Sequence, residues 1–407
     1  MDSIAIRPRP PLRLRAPRAL ARLWPRPLWE GVRPSDVLFL VATYGNGHVQ
    51  AARALAEAAH HAHPGLELFT LDFFELVNPV LNTAARMAYL YSVRRAPRLW
   101  REFYVRTERI APDSFLQQRL YHLGRSAIRR VLQAARPRVV VSTHPTPGGV
   151  VAQLRREGLL PDSLAITVVT DFVLHSQWVH PSTDLYLVAC DEVASELVER
   201  GIDPHRIRVS GIPIRRAFVQ PIDREAARAR LGAGPGQCLV VVLTGAFGMM
   251  RGAREACRRL ANHPAPLRLV VVTGHDARLR ETLSQELAEA PRPARVLGYV
   301  EDMRELMAAA DVVVTKAGGL TVSEALAAGA TMVVFAPIPG QEEGNAAYLE
   351  RHGAARVARS LAELERHVGE LATRPDLRLE LARRARELGR PGSADEAWRS
   401  VAAAAGW

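Results

Sequence analysis

The stretch DVLFLVATYGNGHVQAARALAEAA, residues 36–59, decides the fold class. A strand-type run leads into the turn Gly45-Asn46-Gly47-His48, and an alanine-rich helix begins at once. A glycine-rich turn from strand to helix leaves free backbone N–H groups beside the positive helix end, which favours bound anions. Open α/β sheets also bind ligands at the carboxyl ends of their strands. The segment is therefore either a ligand site or only a tight turn, and His48 is a candidate functional residue.

The alternation of strand and helix continues along the chain from Asp36. Each strand candidate is short, β-branched and almost continuously apolar, as parallel strands covered on both faces should be. The further candidates are LELFTLDF (66–73), PRVVVSTH (137–144), LAITVVTD (164–171), QCLVVVLTG (237–245), LRLVVVTG (267–274), ARVLGYV (294–300), ADVVVTK (310–316) and TMVVFAP (331–337). The pattern predicts an α/β protein with two Rossmann-like, doubly wound parallel-sheet domains. We assign residues 36–215 and 216–390 to them, and residues 391–407 to a helix that packs back on the first domain.

Composition narrows the class of protein without choosing a function. The 407 residues are 48% hydrophobic and carry a formal net charge of +12, with Lys316 as the single lysine. The three cysteines lie too far apart for a disulfide framework or a metal site, which fits a reducing compartment. No apolar run reaches the length of a membrane span, and nothing resembles a nucleic-acid recognition module.

Two segments fall outside the alternation. Residues 1–35 are rich in proline and contain eight arginines against Asp2 and Glu30, so they are either a disordered tail or a membrane-surface arm. Residues 78–123 have a helical composition rich in aromatic residues and arginine. They form either an ordinary amphipathic insertion or a face that meets a membrane.

A second cluster of candidate residues occupies residues 310–355. A buried strand is followed by Gly318-Gly319 and by a helix predicted to start at Thr321, an arrangement that suits phosphate groups. Glu324 has two interpretations: it closes a capping box with Thr321, or it accepts hydrogen bonds from ribose hydroxyls. The later segment PIPGQEEGN (337–345) carries amide and carboxylate groups that suit sugar hydroxyls, unless it is an ordinary solvated loop.

Both clusters resemble a known family. YGNGHVQAARAL (44–55) resembles the S-x-G-x-G-H-x-x-A-A-x-A-L signature of monogalactosyldiacylglycerol synthases and bacterial processive diacylglycerol glucosyltransferases. KAGGLTVSEALAAGATMVVFAPIPGQEEGNAAYL (316–349) resembles their donor motif, and the likeness runs from about Asp36 to Ala355. This chain departs from the pattern at Tyr44, where a small residue is common, at Ala317, where proline is usual, and in the loose match of TGAFG (244–248).

The resemblance implies the GT-B fold of glycosyltransferase family 28, with two domains facing a cleft. The first domain then receives a lipid acceptor and the second holds a UDP-sugar, with inversion at the anomeric carbon and with no metal or cofactor. Gly318, Gly319 and Thr321 are expected at the diphosphate, and Glu324 at the ribose. The other expected donor-side residues are Gly245, Gly248, Lys316, Gln341, Glu342 and Asn345.

The acceptor side supplies the candidates for the chemical step. Either His48 or Asp171, at the end of ITVVTD (166–171), is the base that removes the acceptor proton, or the two act as a pair. In a further alternative, His48 steadies the diphosphate. His144 and His175 hold similar edge positions and are assigned structural or acceptor-binding roles. Gly45 and Gly47 bring the acceptor up to the donor.

We therefore predict a hexosyltransferase that moves glucose or galactose from UDP-glucose or UDP-galactose to diacylglycerol or a related lipid. It is expected in the cytoplasm, peripherally attached to the anionic inner face of the cell membrane, with no nucleic-acid partner. The alternatives are an N-acetylglucosaminyltransferase acting on a polyprenyl-linked cell-wall precursor, a UDP-sugar epimerase, and a non-catalytic UDP-sugar sensor.

Overall fold

Two six-stranded parallel sheets form the framework of the protein. The computed structural model describes residues 32–110, 115–160, 162–292 and 294–407. The strands of the first sheet are β1 (Val37–Val41), β2 (Leu68–Asp72), β3 (Val139–Ser142), β4 (Leu164–Val168), β5 (Leu185–Val188) and β6 (Ile207–Val209). Those of the second are β7 (Cys238–Leu243), β8 (Leu267–Val272), β9 (Arg295–Leu297), β10 (Val312–Thr315), β11 (Met332–Phe335) and β12 (Ala355–Ala358). The predicted fold class is confirmed, although β5, β6 and β12 were not among the strand candidates.

Helices fill the connections between the strands. Those around the first sheet are α1 (Asn46–Ala62), α2 (Phe73–Val77), α3 (Pro79–Arg95), α4 (Pro97–Glu108), α5 (Phe115–Ala135), α6 (Pro145–Arg156) and α7 (Asp191–Glu199). Those around the second are α8 (Arg224–Arg230), α9 (Ala253–Ala261), α10 (Ala277–Ala288), α11 (Met303–Ala309), α12 (Gly319–Ala327), α13 (Gln341–Arg351), α14 (Leu361–Thr373) and α15 (Pro375–Leu388). A last helix, α16, covers Ser393–Ala405. In the described part of the chain, no helix combines the length and the apolar character needed to cross a membrane.

The strand order explains where a ligand binds. The first sheet runs β2-β1-β3-β4-β5-β6 and the second β12-β11-β10-β7-β8-β9, with parallel pairing throughout. The connections therefore change direction beside β1 in one sheet and beside β7 in the other. Such switch points open a crevice outside the carboxyl ends of the strands. The turn after β1 holds Gly45 to His48, and the turn after β7 holds Gly245 and Gly248.

The continuous apolar runs of the strands follow from burial on both faces of each sheet. In β1, Val37 and Phe39 belong to a core shared with α1 and α16, whereas Leu38 and Leu40 face a second core that contains Ile128 of α5. This arrangement gives β1 five buried residues in a row, without the alternation of a half-exposed strand.

The C-terminal helix returns to the first domain after the second sheet is complete. Trp398 of α16 is buried in the core that contains Val37 and Phe39, and its indole Nε1 donates to His63 Nδ1 at 3.0 Å. Ser393, at the start of α16, also fastens the linker between the sheets: its hydroxyl donates to Ile212 O at 2.9 Å. The chain thus crosses between the two domains twice.

Candidate active site

A cleft of about 820 Å³ lies between the carboxyl edges of the two sheets. Its floor is formed by the turn after β1 and the loop after β4 on one side, and by the turns after β7 and β10 on the other. Helices α3 and α4 form a wall at one end. Most of the residues predicted from the two sequence clusters, which are far apart in the chain, line this one space.

His48 lies in the first turn of α1 and faces the cleft. Its Nδ1 lies 2.6 Å from Thr143 O and 3.0 Å from Thr170 Oγ1. Since a carbonyl oxygen only accepts, Nδ1 carries the proton and Nε2 keeps its lone pair. Burial lowers the pKa of His48 to about 4, so the imidazole is neutral near pH 7.

The glycines of the first turn are not explained by a tight turn. Gly45 has an extended backbone with φ −141°, and Gly47 does not belong to the glycines with positive φ. A Cβ atom at Gly45 would have no neighbour within 4 Å. The protein itself would therefore accept a side chain at 45, and the glycine instead keeps the cleft floor open beside the helix N-terminus.

Asp171 follows β4 and lies opposite the donor domain. Its Oδ1 accepts a hydrogen bond from Asn345 Nδ2 at 3.0 Å, and no donor from the described residues reaches its Oδ2. Burial raises the pKa of Asp171 to about 7. The alternative in which His48 and Asp171 form a hydrogen-bonded pair is not seen, because His48 is held by Thr143 and Asp171 by Asn345.

His144 and His175 act as helix caps. His144 Nδ1 accepts from Thr146 N at 3.2 Å at the start of α6, and its ring meets that of His48 edge to face, with centroids 4.9 Å apart. His175 Nδ1 accepts from Gln177 N at 3.2 Å, and its Nε2 lies 3.4 Å from Glu108 Oε2. Burial lowers the pKa of both imidazoles. The structural roles predicted for them have a physical basis, and both rings also line the cleft.

The helix after β10 starts earlier than its sequence indicates. Gly318 is the N-cap of α12 and Gly319 is its first residue, two positions before Thr321. Thr321 therefore lies inside the first turn, no side chain caps the helix, and the capping-box interpretation of Glu324 is wrong. Glu324 is buried against the cleft, where burial raises its pKa to about 8, opposed by the charge of Arg215.

The expected donor-side residues divide into two groups. Gly318, Gly319, Thr321, Glu324, Lys316, Gln341, Glu342 and Gly245 line the cleft. Gln341 Oε1 is buried without a partner in the described structure, as a group awaiting a ligand would be. Glu342 pairs with Lys316, and its Oε2 accepts from Ile338 N at 2.8 Å, so its carboxylate orients the lysine.

Gly248 and Asn345 do not line the cleft. A Cβ at Gly248, where φ is +61°, would lie 2.6 Å from Asp276 Oδ2, so this glycine shapes the turn after β7. Asn345 is completely buried. Its amide oxygen accepts from Phe172 N at 2.8 Å, and its amide nitrogen donates to Asp171 Oδ1 and, at 3.1 Å, to Ala317 O. Asn345 was expected to contact the donor, and this expectation is corrected. Its side chain instead joins the loop after β4 to the backbone of Ala317.

Two departures from the family pattern have physical consequences. Ala317 has φ +69°, which a proline cannot adopt, and the conformation directs its carbonyl to Asn345. Tyr44 packs edge to face on Phe74 and Tyr89, at centroid distances of 4.7 and 6.1 Å. It thereby belongs to an aromatic wall at the α3–α4 end of the cleft, completed by Trp100, Phe103 and Tyr104.

Tyr299 and Arg215 are among the cleft residues that were not predicted from the sequence. Tyr299, after β9, stacks on His275 with centroids 4.3 Å apart, and its hydroxyl accepts from Asn46 Nδ2 at 3.1 Å across the cleft. Arg215, in the linker between the sheets, is the cation near Glu324. The only available signals were an aromatic residue at a strand's carboxyl end and an arginine in a turn-rich linker. Among the described residues, no group of three or more His, Cys, Asp or Glu side chains is arranged to hold a metal.

Comparison with known proteins identifies relatives along most of the chain. A model of monogalactosyldiacylglycerol (MGDG) synthase matches residues 48–214, and one of the glycosyltransferase family 28 C-terminal domain matches residues 239–388. A processive diacylglycerol beta-glucosyltransferase of Bacillus licheniformis is 32% identical over 339 residues, which is 83% of this chain and 86% of that protein. Its Bacillus subtilis counterpart is 32% identical over 343 residues, 84% of this chain and 87% of that protein.

Solved structures agree with the fold at low sequence identity. MurG of Acinetobacter baumannii has a TM-score of 0.59 at 17% identity, covering 90% of this chain and 99% of that one. The calicheamicin glycosyltransferase CalG4 also has a TM-score of 0.59 at 17% identity, covering 92% and 99%. These likenesses establish the GT-B fold alone.

Replacement of Glu324 by alanine tests the ribose interpretation. We expect UDP affinity to fall by roughly 10- to 100-fold, the usual cost of a lost hydrogen bond to a charged group. Calorimetric titration with UDP measures it. Glu305→Ala is the matched control, because Glu305 is a carboxylate on neighbouring α11 that pairs with Arg230 outside the cleft. UDP affinity that is unchanged in Glu324→Ala would contradict the assignment.

Proposed function

The chain belongs to the family of the processive diacylglycerol beta-glucosyltransferases, and we propose that the hexose it transfers to diacylglycerol is glucose from UDP-glucose. The name of its 32%-identical relatives supports glucose. The match of residues 48–214 to the MGDG synthase model keeps galactose as the second candidate. The GT-B likeness to MurG supports an N-acetylglucosamine donor more weakly, because it concerns the fold alone.

The observation that carries this proposal is the unequal chemistry of the two ends of the cleft. One end presents the N-terminus of α12, Lys316 and Glu324, which suit a diphosphate and a ribose. The other is walled by aromatic and aliphatic side chains of α2, α3 and α4, which suit acyl chains. Asp171 and His48 also line the cleft, and we place the meeting of the acceptor hydroxyl and the sugar beside them.

In the proposed mechanism Asp171 is the general base. The acceptor hydroxyl oxygen attacks the anomeric carbon, its proton passes to Asp171 Oδ2, and the bond from the carbon to UDP breaks. Attack opposite the α-linked UDP gives the β-product named for the relatives. His48, which is neutral and keeps its lone pair on Nε2, is the alternative acceptor of that single proton. Lys316 and the N–H groups at the start of α12 stabilise the charge on departing UDP.

The pH dependence of turnover distinguishes the two candidate bases. A base works when it is deprotonated, so kcat/KM should rise with pH through about 7, the pKa of Asp171. Asp171→Asn should lower turnover by about 10²–10⁴-fold and leave UDP affinity intact. An acid limb near 4, the pKa of His48, together with normal turnover of Asp171→Asn, would make His48 the base instead.

A transfer assay tests the substrates. Radiolabelled UDP-glucose, UDP-galactose and UDP-N-acetylglucosamine are each offered with dioleoylglycerol and, separately, with a polyprenyl diphosphate-linked acceptor, and the organic phase is counted. We expect label from UDP-glucose in the diacylglycerol product, and about 10²–10⁴-fold slower labelling with Asp171→Asn as the control. Label only from UDP-galactose would overturn the choice of sugar. Label only on the polyprenyl acceptor, or UDP binding without any transfer, would overturn the proposed function.

The α3–α4 end of the cleft also suits a membrane surface. Large apolar side chains are exposed there: Met87 (66% exposed), Tyr91 (67%), Leu99 (72%) and Phe103 (55%). Leu99 and Phe103 also line the cleft, so the exposed patch continues into the acceptor end. Exposed arginines accompany it, including Arg95, Arg98 and Arg109. We propose that this face rests on an anionic bilayer and admits the lipid from it. Of the predicted tail, residues 1–35, residues 1–31 lie outside the described residues.

Vesicle sedimentation tests the membrane face. The double variant Met87→Asp/Tyr91→Asp should weaken binding to phosphatidylcholine/phosphatidylglycerol vesicles by about tenfold or more, because two apolar side chains no longer enter the interface. Neither residue lines the cleft, so UDP affinity should not change. Leu379→Asp is the matched control, since Leu379 is 66% exposed on α15 of the other domain. Equal pelleting of the double variant and the control would contradict this docking face.

A further inference from the structure

Asp171 belongs to the first domain, but its hydrogen-bond partner belongs to the second. Asn345 lies in α13 with no exposed surface and bonds two consecutive residues of the loop after β4. Its amide oxygen holds the N–H of Phe172 at 2.8 Å, and its amide nitrogen holds Asp171 Oδ1 at 3.0 Å. One side chain therefore fixes both the backbone and the carboxylate of the loop.

The amide of Asn345 is itself held in one orientation. Its nitrogen also donates to Ala317 O at 3.1 Å, and Ala317 presents that carbonyl from a left-handed backbone conformation. With the oxygen committed to a backbone N–H and the nitrogen to two oxygens, the amide has no favourable flipped state. Its second hydrogen is thus aimed at Asp171.

A close approach of the backbones brings this bond about. A Cβ at Gly319 would lie 2.1 Å from Thr170 O and 3.2 Å from Asp171 Oδ1. The first turn of α12 is therefore pressed against the loop that carries Asp171. Asp171 leaves these contacts as soon as the two domains separate.

We propose that Asn345 is a positioning residue which, when the domains are closed, aims Asp171 Oδ2 into the cleft by holding Oδ1 and the Phe172 N–H. Asn345 does not touch either substrate. The inference rests on the proposed role of Asp171 as the base. It implies that Asp171 is correctly placed only while the two domains are in contact.

The groups around Asp171 explain why a hydrogen bond to its Oδ1 affects the pKa of its carboxyl group. The charged and titratable groups near it are Glu342 and Lys316 of the donor domain, His48 of α1, and Tyr89 and Tyr104 of α3 and α4. Burial and Glu342 disfavour the carboxylate, whereas Asn345 and Lys316 favour it. A hydrogen bond to the charged form lowers a pKa. Loss of Asn345 therefore raises the pKa of Asp171 and leaves the base protonated at neutral pH.

The test follows the Asp171 carboxyl group directly. Full-length protein carrying ¹³C-labelled aspartate side chains is titrated by NMR, and the Asp171 signal is identified by its loss in Asp171→Asn. We expect a midpoint near 7 in the wild type and a midpoint roughly 1–2 pH units higher in Asn345→Ala, as the loss of a charge-assisted hydrogen bond implies. The acid limb of kcat should move by the same amount, with little change in KM for the UDP-sugar.

Two further variants keep the result interpretable. Asn345→Ser, whose hydroxyl cannot span both partners, should show the same upward shift if Asn345→Ala does not fold. Tyr348→Leu is the control at the same interface. The Tyr348 ring, one turn further along α13, packs on Phe172 with ring centroids 4.9 Å apart and does not bond Asp171. This variant should keep the wild-type Asp171 midpoint.

The outcomes separate this inference from the proposed function. An unchanged Asp171 midpoint in both Asn345 variants, or an equal shift in Tyr348→Leu, would overturn the positioning role. A raised KM for the UDP-sugar with an unchanged Asp171 midpoint would indicate that Asn345 contacts the donor instead. The NMR titration of Asp171 needs no substrate. A failed transfer assay would therefore contradict the proposed function without deciding whether Asn345 positions Asp171.

Discussion

The contact between Gly319 and the carbonyl oxygen of Thr170 is the constraint on which the site depends. No side chain fits at 319, because its Cβ would lie 2.1 Å from that oxygen. The missing side chain lets the first turn of α12, which we assign to the donor, rest against the loop after β4, which carries Asp171. With that contact in place, Asn345 reaches Asp171 and Asn46 reaches Tyr299, so the two sheets close on a single cleft.

Burial sets the charge state of the closed cleft. It raises the pKa of Asp171 to about 7 and that of Glu324 to about 8, and it lowers that of His48 to about 4. Near neutral pH the cleft without ligand therefore carries less charge than its sequence suggests. In the proposed donor complex, the diphosphate would meet the N–H groups of α12 and Lys316, and the ribose hydroxyls would favour the ionised form of Glu324. Binding of the donor and the ionisation of the site are thus linked through the same desolvated space.

The sequence predicted those parts of the protein that depend on local patterns. Continuous apolar runs predicted most strands of both sheets, because each strand is buried on two faces. The missed strands β6 and β12 are partly exposed and each contains an arginine, whereas β5 is apolar and buried and was overlooked. Glycine turns located the floor of the cleft. The start of α12 was misplaced by two residues because Thr321 resembles a cap, whereas Gly318 caps the helix without a side chain. The roles of Asn345, Tyr299 and Arg215 depend on contacts with residues distant in the chain. Local sequence patterns do not reveal such contacts.

The central claim is that donor and acceptor meet at the edge shared by α12 and the loop after β4. A crystal structure of Asp171→Asn with UDP-glucose bound tests it most directly. The account predicts the diphosphate within hydrogen-bond distance of the N–H groups at the start of α12, the ribose hydroxyls on Glu324, and the anomeric carbon facing residue 171 and His48. UDP-glucose bound with its ribose away from Glu324, or with its anomeric carbon turned away from residue 171, would contradict it.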